Sequence, residues 1–354
     1  MNMALRAQLE QLLDGISLSQ QQARELLLAL TDPELPAAMA GALLAALRAK
    51  GTTADELRGF AEGMRALARR PQLPPDLPAV DIVGTGGDRS GSFNLSTGAS
   101  LLVAACGVPV VKHGNRSISS RAGAADVLEA LGLPMPLPAA AAGRCFDALG
   151  YTFLFAPYYH PAMRSIAPVR AALGVRTVFN ILGPLSNPAE PPFHVIGAFS
   201  HEVADLVAQT LAGMNIRRAF VIHGAQGWDE PTPVGPFALF DVSPGSVRRE
   251  TRTPADYGFA TCSSEALAGG DAAYNAAELR AVFEGRVRDA HRDALLIGAS
   301  LALEVTGVES DARAGVARAA RALDNGAAAD LLQRLQRFGV EERQREQEQE
   351  ARQS

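Results

Sequence analysis

The run Asp81-Ile-Val-Gly-Thr-Gly-Gly-Asp88 places an apolar strand directly before a glycine-rich turn that carries an acid. Glycines let backbone N–H groups approach a ligand closely, and successive inward-turned N–H groups form a concavity for phosphate oxygens. Asn94-Leu-Ser-Thr97 follows and opens a small-residue helix toward Cys106, so a helix N-terminus and its partial positive charge face the same place. No Gly-Lys-Ser/Thr follows the glycines, and no third glycine stands at dinucleotide spacing, which sets aside the Walker loop and the dinucleotide fingerprint. A second loop, Lys112-His-Gly-Asn-Arg-Ser-Ile-Ser-Ser120, gathers two fixed cations, an amide and three hydroxyls behind another apolar run. That inventory suits a ligand rich in acceptor oxygens, with Lys112 as a point charge for a phosphate.

The elements that must position these loops are legible from periodicity. Residues 1 to about 70 read as all-helical: Leu9, Leu12 and Leu13 recur at helical spacing, Ser17 is a candidate N-cap for the segment from Leu18, and Thr53 is one for the segment running to Arg69. The helix 36–50 is apolar nearly all round, which places it centrally in a bundle or against a partner subunit. Gln72-Leu-Pro-Pro-Asp-Leu-Pro78 reads as a stiff linker. Beyond it, short β-rich runs (80–83, 108–112, 152–155, 194–199, 218–222) alternate with helical patterns (98–106, 123–131, 201–213). This alternation predicts an α/β fold with a largely parallel sheet. Residues 234–262 read as extended strands or a hairpin, 273–284 and 292–305 as helices, and the Glu/Gln/Arg-rich tail from Glu341 as a solvated helix end or a disordered segment. The expected organisation is a helical N-terminal domain (1–72, which helices after about 165 can join), an α/β domain (79–340) and a charged tail (341–354).

Composition narrows the classes. A 354-residue chain that is 47% apolar can bury a large core, and a formal net charge of −5 argues against general affinity for nucleic acid or a membrane surface. Any phosphate site must therefore be built locally. Cys106, Cys145 and Cys262 have neither metal nor disulfide spacing and read as buried thiols in a reducing compartment. With no basic-then-apolar leader and no apolar run long enough for a bilayer, the expected location is the cytoplasm.

Taken together and in this order, the two loops resemble the phosphoribosyl-pyrophosphate motifs of the anthranilate phosphoribosyltransferase family of the tryptophan pathway. Ala125-Asp-Val-Leu-Glu-Ala-Leu-Gly132 and Arg176-Thr-Val-Phe-Asn-Ile-Leu-Gly-Pro-Leu-Ser-Asn-Pro188 are further matches, and the resemblance spans roughly residues 5 to 335. It implies a small all-helical domain beside a larger α/β domain, and transfer of phosphoribose to the amine of anthranilate with release of pyrophosphate. It assigns phosphoribosyl pyrophosphate to Gly84, Thr85, Gly87, Asp88, Ser92, Asn94, Ser96, Thr97, Lys112, Asn115, Arg116, Ser117, Ser119 and Ser120. It assigns anthranilate to Gly84, Asn115, His160, Arg170 and Pro184, with Arg170 suited to the carboxylate by its planar fork. Asp229 and Glu230 match the family's acids for Mg²⁺, with Ser96 as a further ligand. Adjacent acids behind an apolar strand repel unless a cation sits between them, and Mg²⁺ takes few protein carboxylates. The resemblance also implies a homodimer through the N-terminal helices.

His160 and Arg170 would lie roughly 15 Å apart on an unbroken helix, too far to grip one small acid, and Pro168 between them is expected to kink or break a 161–173 helix. No Ser/His/Asp or Cys/His arrangement is evident, and His113 is the candidate general base. Trp228 where the family usually has Leu, Ala124 where it often has Ser, and Pro-Thr-Pro-Val-Gly-Pro236 after the acids depart from the pattern. These keep open a paralogue acting on another aromatic amine, a pyrimidine nucleoside phosphorylase-like enzyme, and a non-catalytic nucleic-acid-binding relative.

Overall fold

The computed structural model of the chain describes residues 3–88, 90–116 and 121–353. Helices α1 (Met3–Leu13), α2 (Gln20–Leu30), α3 (Ala37–Lys50) and α4 (Ala54–Ala66) come first. They pack through inward leucines such as Leu12, Leu26, Leu43 and Leu57. The cap of α2 is Ser19, two residues beyond the expected Ser17. Its hydroxyl accepts from Gln22 N–H while the Gln22 side chain accepts from Ser19 N–H, a reciprocal capping pair. Thr53 caps α4 with Glu56 in the same way. Glu56 is fully buried, and its charge is met by Lys50 Nζ at 2.9 Å.

From Val80 the chain alternates. β1 (Val80–Gly84), α5 (Leu95–Ala105), β2 (Val110–Gly114), α6 (Ala124–Leu131), α7 (Ala139–Leu149) and β3 (Tyr151–Phe155) form the first half. A helical segment follows: α8 (Ala156–Tyr159), α9 (Met163–Leu173) and α10 (Phe179–Leu182). β4 (Phe193–Gly197), α11 (His201–Ala212) and β5 (Arg218–His223) complete the parallel sheet, and β6 (Phe237–Ser243) with β7 (Ser246–Arg252) adds an antiparallel hairpin. Helices α12 (Ala272–Phe283), α13 (Ala290–Val305), α14 (Ala312–Asp324) and α15 (Ala327–Gln353) close the chain. The expected fold class is the one observed: helices, then a mostly parallel sheet with helices on both faces.

Neighbouring strand residues point to opposite faces. Ile82, Val195 and Phe220 enter one core with α5 and α13, while Ile196, Ala219 and Val221 enter the other with α4 and α11. Burial on both faces explains why these strands read as continuous apolar runs.

One local expectation is corrected and another narrowed. The helix expected at 161–173 begins at Met163 and runs unbroken through Pro168 to Leu173; the break lies earlier, at His160–Ala162. Pro168 removes the one hydrogen bond its N–H would have made, and the turns around it persist. The stretch from Glu341 is not disordered: it takes the other expected form, a largely solvated helix end that continues α15, in which Glu342 is buried and accepts from Arg144 Nε at 3.0 Å.

The sheet order is β3-β2-β1-β4-β5-β6-β7. The chain steps outward from β1 through β2 and β3, then returns to β4 on the other side of β1. Open α/β sheets bind ligands beyond the carboxyl ends of the strands that flank such a reversal. Here those ends are Gly84 and Gly197, which are register partners. Among the described residues no helix is long and apolar enough to cross a membrane.

Candidate active site

The glycine loop leaves the end of β1 at this reversal. Gly86 and Gly87 adopt φ of 69° and 77°, a region in which a side chain is strained. Thr85 N–H donates to Gly197 O at 2.9 Å, tying the loop to β4. Beside it, the loop after β5 carries Asp229 and Glu230 back onto the sheet end. Three positions without a Cβ make room for it. A Cβ on Gly84 would lie 2.9 Å from Asp229 Cγ, one on Gly197 would collide with the Asp229 carbonyl, and one on Gly224 would lie 3.0 Å from the Trp228 carbonyl. Close approach at the ends of β1, β4 and β5 is thus what lets the acids reach the glycine loop.

Once there, the two carboxylates take anion-binding donors. Gly86 N–H donates to Asp229 Oδ2 at 2.6 Å, and Ser96 N–H, in the first turn of α5, donates to Glu230 Oε1 at 3.2 Å. These are the loop amide and the helix N-terminus that suit phosphate oxygens. Asp88 Oδ2 accepts from Asp229 N–H at 3.3 Å, bringing a third carboxylate close. Burial, reinforced by repulsion from Asp88 and Glu230, holds the Asp229 pKa well above the carboxylate range. Burial likewise pushes Glu230 up to about 7, with Lys112 opposing the shift.

Lys112 is itself buried in the middle of β2. Its Nζ donates to Ile82 O and, at 3.3 Å, to Ser96 Oγ. Burial lowers its pKa, while Asp81, Glu230 and Asp229 oppose that shift. Two hard carboxylates and a hydroxyl, crowded and electrostatically strained, are a donor set that a divalent cation such as Mg²⁺ fits. Among the described residues no three His, Cys, Asp or Glu side chains form a metal cage, so the remaining ligands would be water and phosphate oxygens.

The other expected donor-side residues surround this point. Asn94 does not cap α5 with its side chain; its Nδ2 donates to Ala122 O at 3.1 Å and its Oδ1 accepts from buried Asn275 at 2.7 Å. Thr97 Oγ1 is buried without a hydrogen-bond partner among the described residues. Ser92 lies in the preceding loop, its hydroxyl 3.0 Å from that of Ser90. Arg116 turns away: its guanidinium pairs with Asp126 at 2.7 Å and with Glu129 on α6. Ser117, Ser119 and Ser120 lie outside the described residues.

The acceptor-side residues form two contacts. His113 and His160 meet edge to face, ring centroids 5.0 Å apart, beside Pro184, with His113 Nδ1 3.3 Å from Gly183 O. Burial drives His113 well below its ordinary pKa and His160 to about 4, so both rings are neutral near pH 7. The backbone of Ser186 and Met64 opposes the shift at His160, yet neither ring nitrogen reaches hydrogen-bond geometry. Arg170, on α9, stacks on Phe179 at 5.1 Å and has no carboxylate partner among the described residues. Asn115 is exposed at the end of β2, its Oδ1 accepting from Arg116 N–H at 2.7 Å.

Most of the chain is similar to known proteins. Residues 6–68 match the glycosyl transferase family helical bundle domain, and residues 76–329 the glycosyl transferase family a/b domain. The anthranilate phosphoribosyltransferase of Desulforudis audaxviator is 47% identical over 334 residues, 94% of this chain and 96% of that protein. The chain belongs to the anthranilate phosphoribosyltransferase family. The crystal structure of the Thermus thermophilus member aligns with a TM-score of 0.87 at 41% identity, over 94% of this chain and 99% of that one. The Saccharomyces cerevisiae member, solved in complex with PRPP and Mg, shares the fold with a TM-score of 0.86 at 24% identity, over 96% and 99% of the two chains.

The departures from the anthranilate phosphoribosyltransferase pattern take a structural meaning here. Trp228 is buried in the core beneath the acid loop, and Ala124 is the first residue of α6. Sequence reasoning missed the groups that hold the site from behind. Fully buried Asp81, its pKa raised to about 6 by burial, accepts from Asn187 Nδ2 at 2.9 Å and from His113 N–H at 3.2 Å. Asn187 also donates to Val111 O at 2.9 Å, so it pins the turn after Pro184 beneath β1 and β2. An acid one residue into a buried strand was the available signal, because such a group must find donors.

Proposed function

We propose that this chain transfers the phosphoribosyl group of 5-phosphoribosyl 1-pyrophosphate to the amine of anthranilate, releasing pyrophosphate, in tryptophan biosynthesis. Family membership supports the reaction. The single observation that carries it to these residues is the seating of Asp229 and Glu230 on the glycine loop and the α5 N-terminus, opposite Lys112.

The amides of the glycine loop and of the first turn of α5 that Asp229 and Glu230 do not occupy, together with Lys112, bind and orient the pyrophosphate. They lie where negative charge grows as its bond to the ribose carbon loosens. Mg²⁺ bound through Asp229, Glu230 and Ser96 supplies further positive charge there. The amine of anthranilate attacks that carbon from the opposite face. The C–N bond forms as the C–O bond breaks, the electron pair leaves with pyrophosphate, and the now cationic, acidic nitrogen releases its extra proton to water. An aromatic amine is neutral near pH 7, so positioning and electrostatics carry most of the barrier. Arg170, stacked but not ion-paired, supplies a planar fork for the anthranilate carboxylate. With Nδ1–H assigned to Gly183 O, His113 Nε2 is an acceptor for the incoming amine, and its low pKa makes it an orienting group rather than a strong base.

The chain is further proposed to pair with a second copy through its N-terminal helices, where Met3, Leu13 and Ile16 stand exposed. A reducing cytoplasmic setting suits its three unpaired thiols.

The test is to incubate the chain with phosphoribosyl pyrophosphate, Mg²⁺ and anthranilate and to follow anthranilate fluorescence. The expected result is loss of fluorescence matched by pyrophosphate release. Release with another aromatic amine and none with anthranilate would overturn the acceptor assignment.

A further inference from the structure

Arg176 lies in the connection between α9 and α10 and joins three parts of the molecule. Its Nη2 donates to the carbonyl of Gly87 in the glycine loop. Its guanidinium carbon sits 3.9 Å above the ring centroid of Phe199, in the tightest of the stacked arginine contacts among the described residues. Its own carbonyl accepts from Arg48 on α3. Phe199 is stitched to the same loop, because its N–H donates to Thr85 Oγ1 at 3.2 Å. The ring beneath the guanidinium therefore moves with the loop that the guanidinium holds.

No carboxylate among the described residues neutralises Arg176, so its charge is spent on a backbone carbonyl and an aromatic face. Arg170 stands six positions earlier, across the Gly174 that ends α9, and is stacked in the same way on Phe179. One short segment thus presents two aromatic-backed arginines, Arg170 on Phe179 and Arg176 on Phe199 beside the glycine loop.

We propose that Arg176 is a positioning residue that fixes the donor-side glycine loop to the acceptor-side segment carrying Arg170, so that each half is held in the geometry the other needs. The inference rests on the transferase reading above. A guanidinium can donate to the carbonyl and lie flat on the ring at once; an ammonium is a compact point charge without that plane.

The experiment compares Arg176→Met and Arg176→Lys with the unaltered full-length chain. It measures the KM for phosphoribosyl pyrophosphate at saturating anthranilate, the KM for anthranilate at saturating phosphoribosyl pyrophosphate, kcat, and the melting temperature. Arg176→Met is expected to raise both KM values about tenfold, the size of one charge-assisted hydrogen bond. Arg176→Lys is expected to recover less than half of that loss, and melting should shift by no more than about 4 °C. A change in only one KM, or in neither, overturns the proposal. Should Arg176→Met fail to fold, Phe199→Leu removes only the ring and is expected to raise both values about threefold; unchanged values overturn it equally. If the unaltered chain turns over no anthranilate, the transferase reading falls and takes this inference with it. Activity in the unaltered chain with indifferent variants removes the inference alone.

Discussion

Arg170 and Asp229 show how a residue's surroundings select its use. Arg170 is partly buried, stacked and without a carboxylate partner among the described residues, so its guanidinium is available to a ligand's carboxylate. Arg116 has the same chemistry but is committed to Asp126 and Glu129. Arg170→Ala is therefore expected to raise the KM for anthranilate about tenfold or more while kcat changes little, and an unchanged KM in steady-state assays would refute its carboxylate role. His194, fully buried in β4, makes a stability prediction. Burial, with Arg65 nearby, lowers its pKa to about 3, against about 6.5 in the unfolded chain. Between those values the unfolded state binds a proton that the native state does not, so the contribution of His194 is lost as pH falls. Asp81 acts in the opposite sense, since its raised pKa makes the native state bind the extra proton up to about pH 6. Urea unfolding of His194→Gln from pH 6.5 to 4 should give a slope of free energy against pH lower by about 1.4 kcal/mol per unit. Parallel slopes would contradict the assignment.

At the scale of elements, the site depends on three strand ends that lack a Cβ. Gly197→Ala would drive a methyl group into the Asp229 carbonyl, whose carbon lies 2.5 Å from that position. The variant should keep its sheet, read by circular dichroism, and lose roughly 100-fold in turnover, because a shift near 1 Å in catalytic groups has that effect. Near-normal turnover would show that the acid loop does not need this seat. The strands themselves were legible, since β-branched apolar runs such as 218–222 are the direct signature of a sheet buried on both faces. The glycine loop and Lys112 were legible as a phosphate site because their chemistry is local. The seats at Gly197 and Gly224 were not, because they exist only once the loop carrying Asp229 and Glu230 folds back onto them. Arg176 stood within a motif that was read, yet its partners Gly87 and Phe199 lie on either side of it in sequence and meet it only through the sheet topology. α9 starts later than Pro161 because His160–Ala162 form a tight turn, with Met163 N–H donating to His160 O and Arg164 N–H to Pro161 O, both at 3.1 Å.

For the whole molecule, the helical and α/β parts share one of the two cores, so α4 and α11 pack on the same face of the sheet. The exposed apolar residues Met3, Leu13 and Ile16 leave the N-terminal helices as the expected self-association surface. Sedimentation should find a dimer at micromolar concentration, and a monomer would remove that reading. We propose that Asp229 and Glu230 use the glycine loop and α5 to place Mg²⁺ on a pyrophosphate. That central claim is tested most directly by titrating Mg²⁺ against the rate of anthranilate fluorescence loss, comparing the unaltered chain with Asp229→Asn combined with Glu230→Gln. The account predicts that the double variant needs at least about tenfold more Mg²⁺ for half-maximal rate and is slower at limiting Mg²⁺. Superimposable titrations would contradict it.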